Sequence, residues 1–278
     1  MKVAYFGGDA FYSCFKLILE QKIDVTRVYI NEPDESAQRI VSQCNKLKIE
    51  VKKERPTYEE LTLLINEGVE LFVVASYRFK LPQTSVPFAI NIHPALLPKG
   101  RGPMPLPFII ENPEFAGVTI HKLTDKFDSG DIVLQEKVSL SKCESISSLI
   151  VKSNLVARKL LGTFFHNMSY LYERATPQNE MESIYYPMPS IEQRGLNWSM
   201  NLEEIKLLIR KYGHFGIFMN VNEKPALLNN IEVTRLEHEF IAGTLIYDDC
   251  DFLAVAVTGG FICIPKETNL HSSYRAKY

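Results

Sequence analysis

Short apolar runs alternate with amphipathic segments through the first part of the chain. The runs at residues 2–6, 25–30, 49–51 and 71–75 predict strands, and the segments 11–20, 36–47 and 58–66 between them predict helices. Strands that alternate with helices are typical of a parallel sheet covered on both faces. The sequence therefore predicts an α/β fold with a doubly wound, mostly parallel, Rossmann-like sheet. Its binding crevice should lie beyond the carboxyl ends of the strands.

The rest of the chain predicts further strands, one long helix and a second, smaller domain. Residues 117–123 and 132–138 resemble strands, and the apolar residues of 145–165 recur with helical spacing. Proline and polar residues over 176–189 indicate a linker, and a helix over 202–212 precedes several short β-like runs. We therefore expect a large domain over residues 1–175, a linker over 176–190 and a small β-rich domain over 191–278.

Composition argues against several functional classes. The 278 residues carry a net charge of −2, which offers no general attraction to a nucleic acid. The five cysteines form no CxxC or metal-ligand spacing, so we expect free thiols in a reducing compartment and no metal site. The N-terminus resembles a strand rather than a signal peptide, and no membrane association is expected. These features predict a cytoplasmic protein.

Three polar residues are the candidate catalytic group. Asn91 and His93 follow an apolar strand at alternate positions and therefore point to one side of the sheet, and Asp128 lies in a later loop. The first two alone could also be edge residues of a strand. Histidine can exchange a proton near neutral pH, aspartate can raise its proton affinity, and asparagine can donate to a developing oxyanion. Residues 91–93 contain no serine or cysteine, which favours direct transfer to an amine over a covalent intermediate.

The residues around this group form an ordered motif. It consists of Asn91-x-His93-x-x-Leu96-Leu97-Pro98-x-x-Arg101-Gly102, then Gly117-Val118-Thr119-Ile120-His121, then Asp128-x-Gly130. The motif resembles that of the folate-dependent formyltransferase family, which passes a formyl group from 10-formyltetrahydrofolate to an amine. The resemblance implies that Asn91 and His93 polarise the formyl carbonyl and handle protons, and that Asp128 supports His93 and helps to take the amine proton.

The resemblance also implies where the co-substrate 10-formyltetrahydrofolate binds. Its pterin would lie between a segment that follows the fourth strand and the loop that precedes Asp128. The cofactor-binding residues implied in this way are Tyr77, Arg78, Phe79, Leu81, Leu97, Asp125 and Phe127. Arg101 and Gly102 are candidate substrate-binding residues, although a structural role for Arg101 in holding carbonyls is favoured at least as strongly. His121 is interpreted as a strand-end or core histidine.

The acceptor amine is the open question. The tRNA formyltransferases of this family resemble one another in a long, basic, glycine-rich loop after the second strand, whereas residues 29–36 here are short and acidic, with Glu32, Asp34 and Glu35. We therefore expect the resemblance to be closest to nucleotide-sugar N-formyltransferases of lipopolysaccharide and other surface-polysaccharide pathways. Methionyl-tRNA formyltransferase is the alternative. Glycinamide ribonucleotide is a less favoured acceptor, a non-catalytic folate- or nucleotide-binding module is the third class, and the family implies a possible homodimer.

Overall fold

The computed structural model describes residues 1–31, 36–221 and 224–266, with the side chains of 220–225 excepted. The chain divides into two compact units. The first contains Met1–Pro105, Asn112–Leu140 and Ile150–Pro187, and the second contains Leu106–Glu111, Ser141–Leu149 and the residues from Met188 onward. The candidate catalytic residues all lie in the first unit.

A seven-stranded sheet forms the centre of the first unit, in the order β3-β2-β1-β4-β5-β7-β8. Its strands are β1 (Lys2–Gly7), β2 (Asp24–Tyr29), β3 (Glu50–Lys52), β4 (Val69–Ala75), β5 (Phe88–His93), β7 (Gly117–Lys122) and β8 (Ile132–Lys137), and a short strand β6 (Lys99–Arg101) lies outside this sheet. The helices are α1 (Tyr12–Glu20), α2 (Gln38–Leu47), α3 (Tyr58–Asn66), α5 (Ile146–His166), which begins in the second unit, and α6 (Met168–Glu173).

The expected α/β sheet is confirmed. Strands β1 and β4 are buried on both faces, which explains their continuous apolar runs. The strands from β3 to β5 are parallel, as predicted, whereas β7 pairs with β5 and β8 pairs with β7 in the antiparallel sense. This reversal places residues of β7 directly beside the polar end of β5.

Helices close the sheet by burying their apolar stripes. Phe15 and Ile18 of α1, and Leu161 and Phe164 of α5, are fully buried in one cluster with the sheet residues. Helix α3 begins with a capping box, in which Thr57 accepts from the backbone N–H of Glu60 and the Glu60 carboxylate accepts from the N–H of Thr57. The mostly parallel strands are thereby held with their carboxyl ends at one edge, where the candidate site lies.

The segment expected as a linker has structure of its own. A one-turn 3₁₀ helix, Glu180–Glu182, leads into β9 (Ile184–Tyr185), which pairs with β6 in a two-stranded parallel sheet. The backbone N–H of Tyr186 donates to the carbonyl oxygen of Arg101 at 2.7 Å. Residues up to Pro187 therefore belong to the first unit. They lie beside the loop of residues 94–102 that follows β5, which we call the motif loop.

The second unit is β-rich, as expected. It contains α4 (Leu106–Ile109), α7 (Leu202–Tyr212), a three-stranded sheet of β10 (Gly195–Leu196), β11 (Ile217–Val221) and β12 (Lys224–Leu228), and a four-stranded antiparallel sheet of β13 (Glu232–Arg235), β16 (Gly260–Pro265), β15 (Phe252–Val257) and β14 (Leu245–Asp248). Its core includes Ile205, Ile217, Val257 and Ile262. Among the described residues, none of the helices combines the length and apolar character that crossing a bilayer requires.

Candidate active site

The end of β5 brings the predicted catalytic residues together. Asn91 and His93 lie on one face of the strand, and the antiparallel register pairs Asn91 with His121 and His93 with Thr119. Asp128 lies in the loop between β7 and β8, with a left-handed backbone (φ 54°) and only 9% of its surface exposed. The structure therefore brings Asn91 and His93 each into contact with Asp128 and adds His121 to the group.

The Asp128 carboxylate is the centre of this group. Its Oδ1 atom lies 3.3 Å from Nδ2 of Asn91, 3.4 Å from Nδ1 of His93 and 3.6 Å from Nε2 of His121. Its Oδ2 atom accepts from the backbone N–H of Gly102 at 2.9 Å. Burial opposes ionisation of Asp128, but the neighbouring histidines and the Gly102 hydrogen bond outweigh it and hold the pKa of the carboxyl well below its usual range. Asp128 is therefore an anion at neutral pH.

His93 is held from its other side by the motif loop. Its Nε2 atom lies 2.6 Å from the carbonyl oxygen of Gly100, which can only accept, so Nε2 carries a proton. The Nδ1 atom then faces Asp128. Burial lowers the pKa of His93, and the charge of Asp128 and the bond to Gly100 offset that effect in part. With its pKa lowered, the ring is a buried base at neutral pH, and its titrating atom is Nδ1, which faces Asp128.

His121 orients the amide of Asn91. Nδ1 of His121 donates to the carbonyl oxygen of Lys122 at 2.8 Å, which leaves its Nε2 atom as an acceptor for Nδ2 of Asn91 at 3.0 Å. Both amide hydrogens of Asn91 then point at acceptors, His121 and Asp128. The sequence predicts a strand-end or core histidine at position 121; the ring is buried and also contacts Asn91.

Two polar side chains of the sheet fix the loop that follows His93. The Thr119 hydroxyl donates to the carbonyl oxygen of Ala95 at 2.6 Å and accepts from the N–H of Leu97 at 3.2 Å. Gln135 donates to Thr119 at 2.8 Å and to the carbonyl oxygen of Leu97 at 2.9 Å. The Leu97-Pro98 peptide bond is cis. Leu97 is buried, so these contacts set the path of the loop toward Gly100.

Arg101 is buried and already has partners within the first unit. Its guanidinium donates to Oε1 of Gln178 at 2.9 and 3.1 Å and pairs with both carboxylate oxygens of Glu180 at 2.6 and 2.9 Å. The N–H of Gly102 donates to Asp128. Arg101 thus holds side-chain oxygens of Gln178 and Glu180, and acceptor binding by Arg101 and Gly102 stays a prediction. Sequence reasoning missed Gln178 and Glu180 because they lie in the expected linker.

The residues expected around the pterin lie in two neighbouring segments. Tyr77 is buried against Phe6 and Phe79, whereas Phe79 and Leu81 are half-buried. Lys80 lies with its Nζ atom 5.3 Å from the ring centroid of the exposed Phe127, so the two segments meet. Asp125 is exposed. Partly exposed apolar side chains next to ordered backbone are suited to covering a flat ring.

The backbone of the first of these segments is held by Asn31. Its side chain donates to the carbonyl oxygen of Ser76 at 2.7 Å and accepts from the N–H of Arg78 at 3.1 Å. Ser76 has a left-handed backbone (φ 62°), a conformation that needs such support. Asn31 was not among the expected site residues. The acidic residues that follow it, from Glu32 to Glu35, lie outside the described part of the chain.

Comparison with known proteins identifies relatives of this chain. A family model described as formyl transferase matches residues 20–162. Methionyl-tRNA formyltransferase of Coprothermobacter proteolyticus is 26% identical over 257 residues, covering 87% of this chain and 84% of that protein. The same enzyme of Streptococcus pyogenes is 31% identical over 210 residues, covering 74% and 67%. The residues that the family model matches include Asn91, His93 and Asp128.

Solved structures with the same fold extend over nearly the whole chain. An N-formyltransferase from Helicobacter canadensis, solved with folinic acid and dTDP-3-aminofucose, has 18% identity and a TM-score of 0.66, covering 95% of this chain and 98% of that one. HypX from Aquifex aeolicus has 17% identity and a TM-score of 0.72. The alignment with HypX covers 95% of this chain but only 43% of the HypX chain.

Proposed function

The chain belongs to the formyl transferase family, and from this premise we propose that it transfers the formyl group of 10-formyltetrahydrofolate to the amine of a nucleotide-linked amino sugar. The observation that carries the proposal is the convergence of Asn91 and His93 on the Asp128 carboxylate, at 3.3 and 3.4 Å. An amide donor, a neutral buried base and an anion in contact are the groups that amine formylation requires.

Each group has a role that its geometry supports. Nδ2 of Asn91 donates to Asp128 in the longer of its two hydrogen bonds. The same N–H can also donate to the formyl oxygen as that oxygen gains negative charge. Nδ1 of His93 and the carboxylate of Asp128 form the pair that accepts the proton of the attacking amine. In the balanced reaction the formyl carbon forms a bond to the acceptor nitrogen, its bond to N10 of the folate breaks, and one proton passes to N10.

The folate is proposed to lie against the two segments that meet at Lys80 and Phe127. Tyr77, Arg78, Phe79, Leu81, Leu97, Asp125 and Phe127 remain the proposed contacts. The support for this placement is the ordered backbone at Ser76 and Arg78 that Asn31 holds, together with the half-buried rings beside it. The structurally similar N-formyltransferase from Helicobacter canadensis was solved with folinic acid, a folate derivative.

The choice of a sugar acceptor has its own support. The chain carries a net charge of −2, and its loop after β2 contains three acidic residues in place of a basic run, which does not favour a polyanionic partner. The N-formyltransferase from Helicobacter canadensis, which was solved with dTDP-3-aminofucose, shares the fold over 95% of this chain. A surface-polysaccharide pathway for the product, and a homodimer, remain predictions; light scattering would test the latter.

Methionyl-tRNA formylation is the second candidate because the relatives found by sequence carry that name. The purified chain would be incubated with 10-formyltetrahydrofolate and either dTDP-3-aminofucose, a UDP-linked 4-amino sugar or charged initiator tRNA, and the products measured by mass spectrometry. We expect one of the amino-sugar nucleotides to gain a single formyl group. Formylation of the charged tRNA with no change in any amino sugar would contradict the proposal and establish the alternative.

A further inference from the structure

Gln178 connects the loop of Asp128 to the loop that holds His93. Its Nε2 atom donates to the backbone carbonyl oxygens of Asp128 at 2.9 Å and Gly130 at 2.7 Å. Its Oε1 atom accepts two hydrogen bonds from the Arg101 guanidinium. Both donor hydrogens and both acceptor sites of this amide are therefore used, and one side chain spans both loops.

Arg101 fixes which way the Gln178 amide points. A guanidinium can only donate, so the oxygen of Gln178 must face Arg101 and the nitrogen must face the carbonyl oxygens of Asp128 and Gly130. Arg101 is 8% exposed, and Glu180 holds its other edge in a two-pronged ion pair. The amide of Gln178 is thus held in one orientation from both ends.

Asp128 has a backbone conformation that needs this support. Its φ of 54° is unfavourable for a residue with a side chain, and such residues persist when their surroundings hold them. The two bonds from Gln178 hold its carbonyl group and that of Gly130 two residues later, while Gly102 holds the carboxylate. Without the Gln178 donors the loop can relax toward ordinary dihedral angles, which would turn the carboxylate away from Nδ1 of His93.

We propose that Gln178 is a positioning residue that holds the Asp128 carboxylate against Nδ1 of His93. The catalytic consequence rests on the proposed function, whereas the structural consequence does not. The titratable groups that face His93 are Asp128, whose charge raises the pKa of His93, and the ring of His121. Moving Asp128 away removes the anion that raises the proton affinity of His93, so the state of His93 reports the position of Asp128 even if no acceptor is known.

The test compares wild type with Gln178→Leu, Gln178→Asn and the control Asn179→Ala. Gln178→Leu removes all four bonds. Gln178→Asn keeps the amide but is one methylene too short to span both loops, and it serves as the test if Gln178→Leu fails to fold. Asn179 caps the adjacent 3₁₀ turn by accepting from the N–H of Met181, and its Nδ2 atom donates to Glu182. Asn179→Ala therefore disturbs the same segment without touching the proposed link.

The first readout is the titration of His93 by NMR, with its signal assigned by its loss in His93→Gln. We expect both Gln178 variants to lower the pKa of His93 by about one unit, since a contacting opposite charge typically shifts a pKa by about one to three units. Asn179→Ala should titrate as wild type does. An unchanged pKa in both Gln178 variants, or the same shift in Asn179→Ala, would overturn the proposal.

The second readout is turnover on whichever acceptor the wild type formylates. We expect kcat to fall about ten- to a hundredfold in the Gln178 variants, with KM for both substrates within about twofold, because a small displacement of a catalytic group affects the transition state most. A wild-type kcat in both folded variants would contradict the positioning role. A wild type that formylates no acceptor would contradict the proposed function alone, because the His93 titration would still test Gln178.

Discussion

Nδ1 of His93 lies 3.4 Å from Oδ1 of Asp128, while Nε2 of the same ring is bonded to the carbonyl oxygen of Gly100. Because the carbonyl oxygen of Gly100 can only accept, Nε2 keeps its proton. Nδ1 is therefore the atom that gains or loses a proton. That atom faces an anion that is buried and fixed by a backbone N–H. In the proposed mechanism this buried pair accepts the proton of the attacking amine.

Replacing either member of this pair should remove most of the activity. We expect His93→Gln and Asp128→Asn each to lower kcat about a hundred- to ten-thousandfold, because each removes proton transfer while keeping the shape of the site. The measurement is steady-state formylation of the accepted amine, with circular dichroism to show that the fold is kept. Because both act on one proton, the double variant should lose little more than the worse single variant, and additive losses would show that the two act separately.

The pH dependence of turnover should follow His93. The neutral ring is the active base, and its pKa lies below the usual histidine value, so kcat should stay constant at neutral pH and fall as pH drops through that lowered pKa. Asp128 raises the pKa of His93, so Asp128→Asn should move the acidic limb of the residual activity to lower pH. The pH profile of kcat at saturating acceptor measures this. An acidic limb that moves to higher pH in Asp128→Asn would contradict the assigned roles.

His93 should also make the fold sensitive to acid. Its pKa is lower in the folded state than the value of 6.5 expected for the unfolded chain. Below that value the unfolded state binds the proton first, so the free energy of unfolding should decrease as pH falls from 6.5 toward the folded pKa. Urea denaturation across this window should show a weaker pH dependence in His93→Gln than in wild type. Equal slopes would mean that His93 is not buried as a neutral ring.

Gly100 should tolerate no side chain. Its φ is 107°, and a Cβ atom there would lie 2.6 Å from Cβ of Ala95, so Gly100→Ala must shift the carbonyl that holds His93. We expect kcat to fall at least about tenfold. Gly259→Ala is the matched control, since Gly259 has a φ of 79° and nothing within 4 Å of its would-be Cβ atom.

Gly259→Ala should cost about 1 kcal/mol of stability and leave kcat unchanged. Both variants would be compared by thermal unfolding and by steady-state kinetics. If the two lowered kcat equally, backbone strain in general, and not the position of the Gly100 carbonyl, would explain the loss.

Asn91 should depend on His121 for its orientation. His121→Phe keeps a ring in the buried space but removes the Nε2 acceptor at 3.0 Å, so the Asn91 amide is free to turn. We expect kcat to fall about tenfold with little change in KM for the folate. His121→Gln, whose side chain offers an acceptor in a similar place, should lose less. Equal kcat values for the Phe variant and wild type would show that Asn91 is positioned by other groups.

Local patterns in the sequence predict much of the fold and the three central residues. Uninterrupted apolar runs indicate buried strands whatever their partners are, so β1 to β5 could be recognised. The antiparallel sense of β7 and β8 could not, because strand direction is decided by connections and partners that no single run records. That reversal is what places His121 opposite Asn91.

The supporting residues were the harder part to predict. Gln178 and Glu180 lie in a polar, proline-containing stretch that has the composition of a linker, and their partners, Arg101 for both and the Asp128 loop for Gln178, are far away in the sequence. Thr119 lies in the motif itself, but its bonds to the loop after His93 depend on the register of β5 and β7. Long-range polar pairs of this kind have no periodicity, so sequence patterns give no signal for them.

The most direct measurement is mass analysis of an amino-sugar nucleotide, beginning with dTDP-3-aminofucose, after incubation with 10-formyltetrahydrofolate and either wild type or Asp128→Asn. The account predicts that an amino-sugar nucleotide gains one formyl group with wild type and gains almost none with Asp128→Asn in the same time. Formylation at equal rates by both proteins would contradict the claim that Asp128, in contact with Asn91 and His93, carries the transfer.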